Sequence, residues 1–575
     1  MSKRIPSVNS SFEEFVTRRS YFVDKTKYIT DIEKNKYILL TRPRGFGKSL
    51  YLSMLQTYYD IRKKEDFDRY FSFTSIIVKP TFNRNKYLVL YLDFSKVTTS
   101  ANIADSFHAY CLKEIRHFIE YYKDYLSDDL IQEVYSKQAA HEQIEALSAT
   151  LKDSATKFYI LIDEYDYLAS SLLIDSEIEE YKKLTTQTGY FKEFFTTLKK
   201  ITARKTATLG RLFMTGVSSM AIHDITNSSS IGTNISLRPT YNKLLGITEE
   251  ELMVVLDYFL PIIKYKISKD QALDIMKKWY GSHTFCDYLS ETVFNTDSVW
   301  HFISELRDEK VIMPDIMSDS KSIKYDKLRP LVIRKDNFAA LVKIIDDNGI
   351  VSGVQKGFTY ESTLKLDGLI SLLYSLGFLS FSGKTRKSET FLRIPNEMAL
   401  TTLHSYIRET VQQSCDLNLD LDLLKDYQTD MAFNGSFKPA IEFIGKEIVK
   451  PAYHKNFIQN DQLVKSLYIS YFRLYDYFTI DFEPETSSRA ATVTLIPYFL
   501  KYPDYRYVYL IKIKHINDEN AVEHKKNEAI ESFGKHTDED RMRKLLGDRY
   551  SESLTLKKIV IIFHNSEIVC CEECQ

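Results

Sequence analysis

The chain is poor in glycine, with 18 in 575 residues, about 3% against a usual ~7%. Glycine-rich low-complexity architectures are thereby excluded, and no internal repeat appears. Cysteine is equally scarce. Six in a chain of this length cannot staple a disulfide scaffold. Three of them crowd the end as Cys570, Cys571 and Cys574. Cys571 and Cys574 make a C-x-x-C with no second Cys or His pair nearby to close a zinc site, so the expectation is a frayed tail of free thiols. Long apolar runs are missing too. Leu252–Tyr265 and Leu369–Phe381 are interrupted or fall short of the ~18–20 residues a membrane span needs. The first residues hold no apolar h-region of a secretory signal. Charge of one sign is also absent, because 77 Lys+Arg against 78 Asp+Glu leave a net −1. That argues against a surface given over to nucleic acid. The reading is of a soluble, intracellular, cytoplasmic protein with no membrane partner.

What is present is an ordinary globular composition, 44% hydrophobic and 27% charged, rich in tyrosine (40) and phenylalanine (35). Aromatic cores are expected. The length is too great for one core and predicts several domains.

Residues 1–245 alternate short β-branched runs with amphipathic stretches, as in an α/β fold with a parallel sheet. Buried strands are predicted at Tyr37–Thr41, Tyr87–Asp93, Phe158–Asp163 and Leu212–Gly216. A helix with Phe191, Phe194, Phe195, Leu198 and Ile201 on one face lies between the last two. Residues 246–425 read as a mainly helical lid or connector. There Thr248 and Glu251 form a capping box that opens a helix over Glu249–Phe259, ended before Pro261. Ser318–Tyr325 is a loop candidate. Residues 426–575 return to strand-like runs at Phe478–Phe482, Thr492–Ile496, Tyr507–Ile513 and Lys558–Phe563.

The sharpest chemistry lies between Tyr37 and Leu50. An apolar strand runs into Arg42-Pro43-Arg44-Gly45-Phe46, and Gly47-Lys48-Ser49 then opens an amphipathic helix. Triphosphate binding needs these parts: amides at a helix N-terminus, a Lys for the β/γ oxygens, and a Ser hydroxyl for Mg²⁺. The strict pattern wants glycine at position 42, where this chain has Arg42. A second motif supports the first. The apolar strand Lys157–Ile162 ends in Asp163-Glu164, where the first carboxylate can hold the Mg²⁺ shell and the second can polarise a water. Thr215, at the end of a further strand, stands where such folds place a polar sensor of the γ-phosphate.

These blocks resemble the AAA-ATPase-like family of bacterial and mobile-element proteins. Tyr21–Thr26, the Arg-Pro-Arg-x-Phe-Gly-Lys-Ser loop and Leu161–Asp166 carry the likeness. Thr215–Val217, Asn234-Ile235, Gly246–Glu251, Trp279–Gly281 and Ile394–Glu397 extend it over most of residues 5–400. The family usually has a second Arg where this chain has Gly45, and it normally lacks the first Walker glycine, so Arg42 fits. The resemblance implies ATP and Mg²⁺ as cofactors. It places Arg44, Gly45, Phe46, Gly47, Lys48 and Ser49 around the nucleotide, with Asp24 and Lys25 nearby. Ser49 and Asp163 become the metal ligands, and Glu164 and Thr215 the catalytic pair. Arg204, Arg211 and Arg238 are unranked candidates for an arginine finger.

The same family often ends in a PD-(D/E)XK nuclease-like domain. By that resemblance Ala491 stands at the metal-binding Asp and Lys512 at the second ligand. Lys514 keeps its place, and Glu483 or Glu485 offers an upstream acid. An inactive nuclease-like domain is therefore expected. Residues 430–575 hold 20 Lys+Arg against 22 Asp+Glu, so 20 − 22 = −2 and no basic footprint is present. His108, His283 and His515 lack metal-ligand spacing, and Cys111, Cys286 and Cys415 read as buried small residues. Two functions stay open: an ATPase driving its C-terminal domain on a partner, and a nucleotide-gated scaffold with little turnover. The partner is open among DNA, RNA, a protein and a second copy of the chain.

Overall fold

In the computed structural model the β-branched runs of the N-terminal region lie side by side as parallel strands. The structure describes residues 3–574 except 8–10, 99–101, 175–176, 204, 206, 227–230, 264–266, 282, 309–334, 386, 415–418, 450–460, 476, 484–491, 500, 517, 534–541, 544, 547–553 and 565–566. Ser318–Tyr325, Arg204, Cys415, Glu485 and Ala491 therefore fall outside it.

Strands β1 (Tyr37–Thr41), β2 (Tyr87–Asp93), β3 (Lys157–Asp163), β4 (Arg211–Gly216) and the short β5 (Thr233–Asn234) form one sheet in the order β2-β3-β4-β1-β5. Every pairing in it is parallel. Their near-continuous apolar runs follow from burial on both faces. β4 sits between β1 and β3, so the loop after β1 and the acids after β3 open at the same edge, one strand apart. The helix α1 (Lys48–Tyr59) follows β1, and α2 (Ile103–Tyr121) follows β2. α3 (Tyr190–Thr202) buries Phe191, Phe194, Phe195, Leu198 and Ile201, as its periodicity predicts. Phe194 meets Phe107 and Phe94 edge-on, with ring centroids 5.3 and 5.8 Å apart. This aromatic packing answers the richness in phenylalanine.

The capping box forms as read. The Glu251 amide donates to the Thr248 hydroxyl at 3.2 Å, and the Thr248 amide to the Glu251 carboxylate at 2.8 Å. It opens α4 (Glu249–Phe259), which passes into a 3-10 turn at Leu260–Ile262 that carries Pro261. The middle region also holds short strands that its helical periodicity hides. β6 (Ile247–Thr248) pairs with β7 (Val293–Phe294) just before α5 (Thr296–Arg307), and β8 (Gly349–Val351), β10 (Thr390–Arg393) and β9 (Ser380–Lys384) make a small sheet. They are two to five residues long, too short to show a period of two.

The chain divides into two compact units. The first holds Met1–Glu309, Ile323–Asn337 and Ile350–Glu397, so the nucleotide-type fold and much of the helical middle share one unit. The second holds Lys310–Ser322, Phe338–Gly349 and Met398–Gln575. In the second unit, α6 (Asp461–Phe472) precedes the meander β11 (Phe478–Glu483), β12 (Thr492–Pro497) and β13 (Tyr507–Ile516). A crossover containing α7 (Val522–Glu531) leads to β14 (Thr555–His564), parallel to β13. One face of this sheet packs Val508, Leu510, Val560 and Ile562 against Ala529 and Phe533.

The tail is not frayed. Glu567–Cys574 forms β15, antiparallel to β14, and Cys570 is buried. Main-chain pairing to an existing strand orders it, which a weakly patterned Glu/Cys sequence does not announce. Its thiols are free. Cys571 and Cys574 lie three apart on a strand and so face opposite ways, which excludes a shared ligand. Among the described residues, no helix is long and apolar enough to cross a membrane.

Phe194→Ala should cost about 3–5 kcal/mol of stability, since the cluster cannot close over the void. Denaturant unfolding of the two proteins checks this; a loss below about 1 kcal/mol would mean the cluster is not closely packed.

Candidate functional site

The loop between β1 and α1 is built from a buried arginine and two left-handed glycines. Arg42 is 1% exposed. Its guanidinium donates to the carbonyls of Thr41 at 2.9 Å, Ser236 at 2.7 Å and Tyr241 at 2.9 Å, and lies 3.9 Å over the Phe285 ring. Burial pulls its pKa down to about 10. Arg42 thus points into the fold, where it ties β1 to residues 236–241. Gly45 and Gly47 have φ of 80° and 88°, a region open to glycine at little cost. A Cβ on Gly45 would stand 2.6 Å from Asn295 Oδ1, so an arginine cannot enter here without displacing Asn295.

Each carbonyl of this loop has a donor. Lys48 Nζ, at the start of α1, donates to the carbonyls of Arg42 at 3.2 Å and Pro43 at 3.3 Å. Asn295 Nδ2 donates to Arg44 O at 2.8 Å, and the Asp297 amide to Gly45 O at 3.0 Å. Phe46 O accepts from the Gly246 amide at 3.0 Å and the Thr296 hydroxyl at 3.3 Å. Asn295 also caps α5, accepting from the amides of Asp297 and Ser298.

The acids lie across from this loop. Asp163, 1% exposed, accepts from the Thr215 hydroxyl at 2.7 Å and from Tyr91 at 3.3 Å, and hydrogen-bonds Ser49. Burial raises its pKa and the Glu164 charge adds to the rise, while the Ser49 and Thr215 hydrogen bonds and Lys48 oppose it. Glu164 sits 3.5 Å from Lys48 Nζ. Its φ is +49°, a left-handed conformation that costs a non-glycine residue about 1–3 kcal/mol and gathers at functional sites. The next residues hold that backbone. The Tyr165 amide donates to Thr215 O at 3.0 Å, and the Asp166 carboxylate accepts from the amides of Val217 at 3.1 Å and Ser218 at 2.9 Å.

A cleft of about 790 Å³ collects these groups. Arg44, Gly45, Gly47, Lys48, Ser49, Asp163 and Glu164 line it, together with Tyr91, Asp93, Thr296, Asp297 and Trp300. The volume suits a nucleotide-sized molecule. An apolar pocket adjoins it, walled by Tyr21, Phe22, Phe46, Tyr51 and residues 244–247, and it shares Phe15, Gly47, Leu50, Thr296 and Trp300 with the cleft. Of the sequence-predicted residues, Thr215 reaches the cleft through Asp163, and Phe46 turns to the apolar pocket. Asp24 lines neither cavity, and Lys25 lines the apolar pocket rather than the cleft. Asp24 accepts from the Thr26 amide at 2.9 Å and the Ser75 amide at 2.7 Å. Lys25 is buried against Glu251 at 2.7 Å and Lys243 O at 3.1 Å, which extends the capping box. Of the arginines, Arg211 donates to Asn35 O at 2.8 Å and Arg238 to Asn35 Oδ1 at 3.4 Å. Asn35 precedes β1, so both belong to the sheet edge opposite the cleft. His283 is a core residue against Phe46, its pKa lowered by burial to about 4, and Cys111 and Cys286 are buried.

Thr296, Asp297, Tyr91 and Asp93 were not legible as cleft residues, nor Asn295 as the donor to the loop carbonyl of Arg44. Asn295-Thr296-Asp297 before Val299, Trp300 and Ile303 carries a helix-start signal and nothing more. Burial pushes the Asp297 carboxyl up to about 6, with Lys48 acting against it.

An acid strand set one strand away from a phosphate-loop strand, with parallel neighbours, defines an α/β domain of the P-loop type. The family model described as "Predicted AAA-ATPase" matches residues 6–226. Two solved structures show a low similarity. Cdc6p from Pyrobaculum aerophilum is 14% identical with a TM-score of 0.25, over 68% of this chain and 93% of that one. The ORC2 protein of Aeropyrum pernix, in ADPNP–ADP complexes, is 12% identical with a TM-score of 0.25, over 68% and 92%. No curated protein matches the chain.

Arg42→Gly, which restores the missing glycine of the strict motif, should destabilise the protein by about 2–4 kcal/mol by removing three charge-assisted hydrogen bonds from buried carbonyls. Thermal and denaturant unfolding measure it; unchanged stability would show that Arg42 does not tie the loop down.

Proposed function

We propose that the first unit binds Mg·ATP in this cleft and hydrolyses it. One observation carries the reading: Lys48, Ser49, Asp163, Glu164 and Thr215 converge from the ends of three adjacent parallel strands. The loop amides and Lys48 hold the β/γ phosphates. Ser49 and Asp163 offer the two oxygen donors that Mg²⁺ takes from a protein when phosphate and water supply the rest. Glu164, strained and beside Lys48, is the group placed to accept the proton of an attacking water. Thr215 orients Asp163 and ties β4 to the metal side of the site. Arg44 lines the cleft and makes no ion pair with any described residue, which leaves its charge available to the nucleotide. The adjoining apolar pocket is the seat for the base.

The turnover would act on a partner through the second unit, which we read as nuclease-like and inactive. The order helix–strand–strand–strand–helix–strand over α6, β11–β13, α7 and β14 supports that frame. Lys512 is 2% exposed, donates to Ser532 Oγ at 2.5 Å and lies 4.1 Å over the Phe533 ring. A buried cation in that place opposes a divalent metal. Thr492, opposite Glu483 in the β11–β12 register, shares the Lys512 face of the sheet and carries no carboxylate. The alternative, a nucleotide-gated scaffold, differs only in whether Glu164 supports turnover.

Lys48→Ala should weaken Mg·ATP roughly 10–150-fold in calorimetry, the worth of one charge-assisted contact. Glu164→Gln should keep that affinity while steady-state hydrolysis collapses. Equal affinity in Lys48→Ala would move the site elsewhere; wild-type turnover in Glu164→Gln would remove it as the base. The purified protein should leave plasmid, single-stranded DNA and RNA intact with Mg²⁺ or Mn²⁺. Cleavage that disappears in Lys514→Ala would overturn the inactive-nuclease reading.

A further inference from the structure

The start of α5 stands where the phosphate cleft meets the apolar pocket. Thr296 and Trp300 line both, and Asp297 lines the cleft alone. The loop carbonyls fix this turn in place, through the Asp297 amide on Gly45 O at 3.0 Å and the Thr296 hydroxyl on Phe46 O at 3.3 Å. The Asp297 carboxylate itself accepts no hydrogen bond from any described residue. In a molecule with its phosphates at Lys48 and its base in the apolar pocket, the sugar spans this junction. Beyond the charge of Lys48, which acts on it from within the chain, a carboxylate there finds one kind of partner among the groups of a nucleotide. Phosphate oxygens are acceptors of the same charge, so they repel it. The base's own donors lie in the pocket, whose wall does not include Asp297. Sugar hydroxyls are neutral donors, and a carboxylate with two oxygens can take a vicinal pair.

Resting on the nucleotide reading above, we propose that Asp297 is a specificity residue that accepts hydrogen bonds from the 2′- and 3′-hydroxyls of a ribonucleoside triphosphate. A polar group built to bind a hydroxyl rejects the analogue that lacks it, because it is then left half-buried without a partner. The chain should therefore prefer ribonucleotides to deoxyribonucleotides.

The test compares Mg·ATP, Mg·2′-deoxy-ATP and tripolyphosphate by calorimetry on the full chain. The wild type should bind ATP about 10–100-fold tighter than 2′-deoxy-ATP, the range for a charge-assisted hydrogen bond and the group it leaves unpaired. Asp297→Ala should bind both nucleotides alike while tripolyphosphate affinity does not fall. The substitution leaves the backbone amide on Gly45 O and the Asn295 cap intact; if Asp297→Ala does not fold, Asp297→Asn should show a reduced ratio. Equal affinities in the wild type, a ratio preserved in the variants, or a loss shared by tripolyphosphate would each overturn the assignment. A failure of the nucleotide reading looks different: tripolyphosphate and ATP affinities would then be the same in Lys48→Ala as in the wild type.

Discussion

A phosphate-binding loop that offers its amides to a ligand must find donors for its carbonyls elsewhere, and the rest of the first unit is arranged around that demand. The carbonyls of residues 42–46 all have partners, and only Lys48 comes from nearby in sequence. Gly246, Asn295, Thr296 and Asp297 supply the others from some 200–250 residues downstream. An unmet buried carbonyl costs about 1–3 kcal/mol, so the loop and the start of α5 stabilise one another. The two left-handed glycines follow from the same demand. One must bend the chain, and the other must also leave room for Asn295.

Arg42 meets the demand from behind. Where a glycine would let the loop approach the ligand, this chain spends a buried charge on three carbonyls and an aromatic face. The result is a stiff loop whose position depends on residues 236–241 and Phe285. Across the cleft, Asp166 and Tyr165 hold the backbone on which Glu164 is strained, and Thr215 and Ser49 share the Asp163 carboxylate. Acids and phosphate loop are thus held by networks that meet at the Lys48–Glu164 pair and at the Ser49–Asp163 hydrogen bond.

The second unit places its charge differently. Lys512 is buried on a central strand, its head turned to Ser532 and Phe533. The sheet around it is covered by an aliphatic and aromatic cluster on the same face. That packing is a structural use of the position.

The amino-acid sequence by itself determined the strands β1–β4, the Gly47-Lys48-Ser49 helix start, the Asp163-Glu164 pair, the phenylalanine face of α3 and the Thr248–Glu251 capping box. Each is a local signal, set by periodicity or by hydrogen bonds that span three or four residues. Only the tertiary structure decided that Arg42 is an anchor, that Lys25 lines the apolar pocket beside the cleft, that the cysteine-rich tail is a paired edge strand, and that Thr296 and Asp297 form a wall of the site while Asn295 holds its loop. Those outcomes depend on which distant backbone group still lacks a donor once the sheet has formed, and no window of local sequence carries that information.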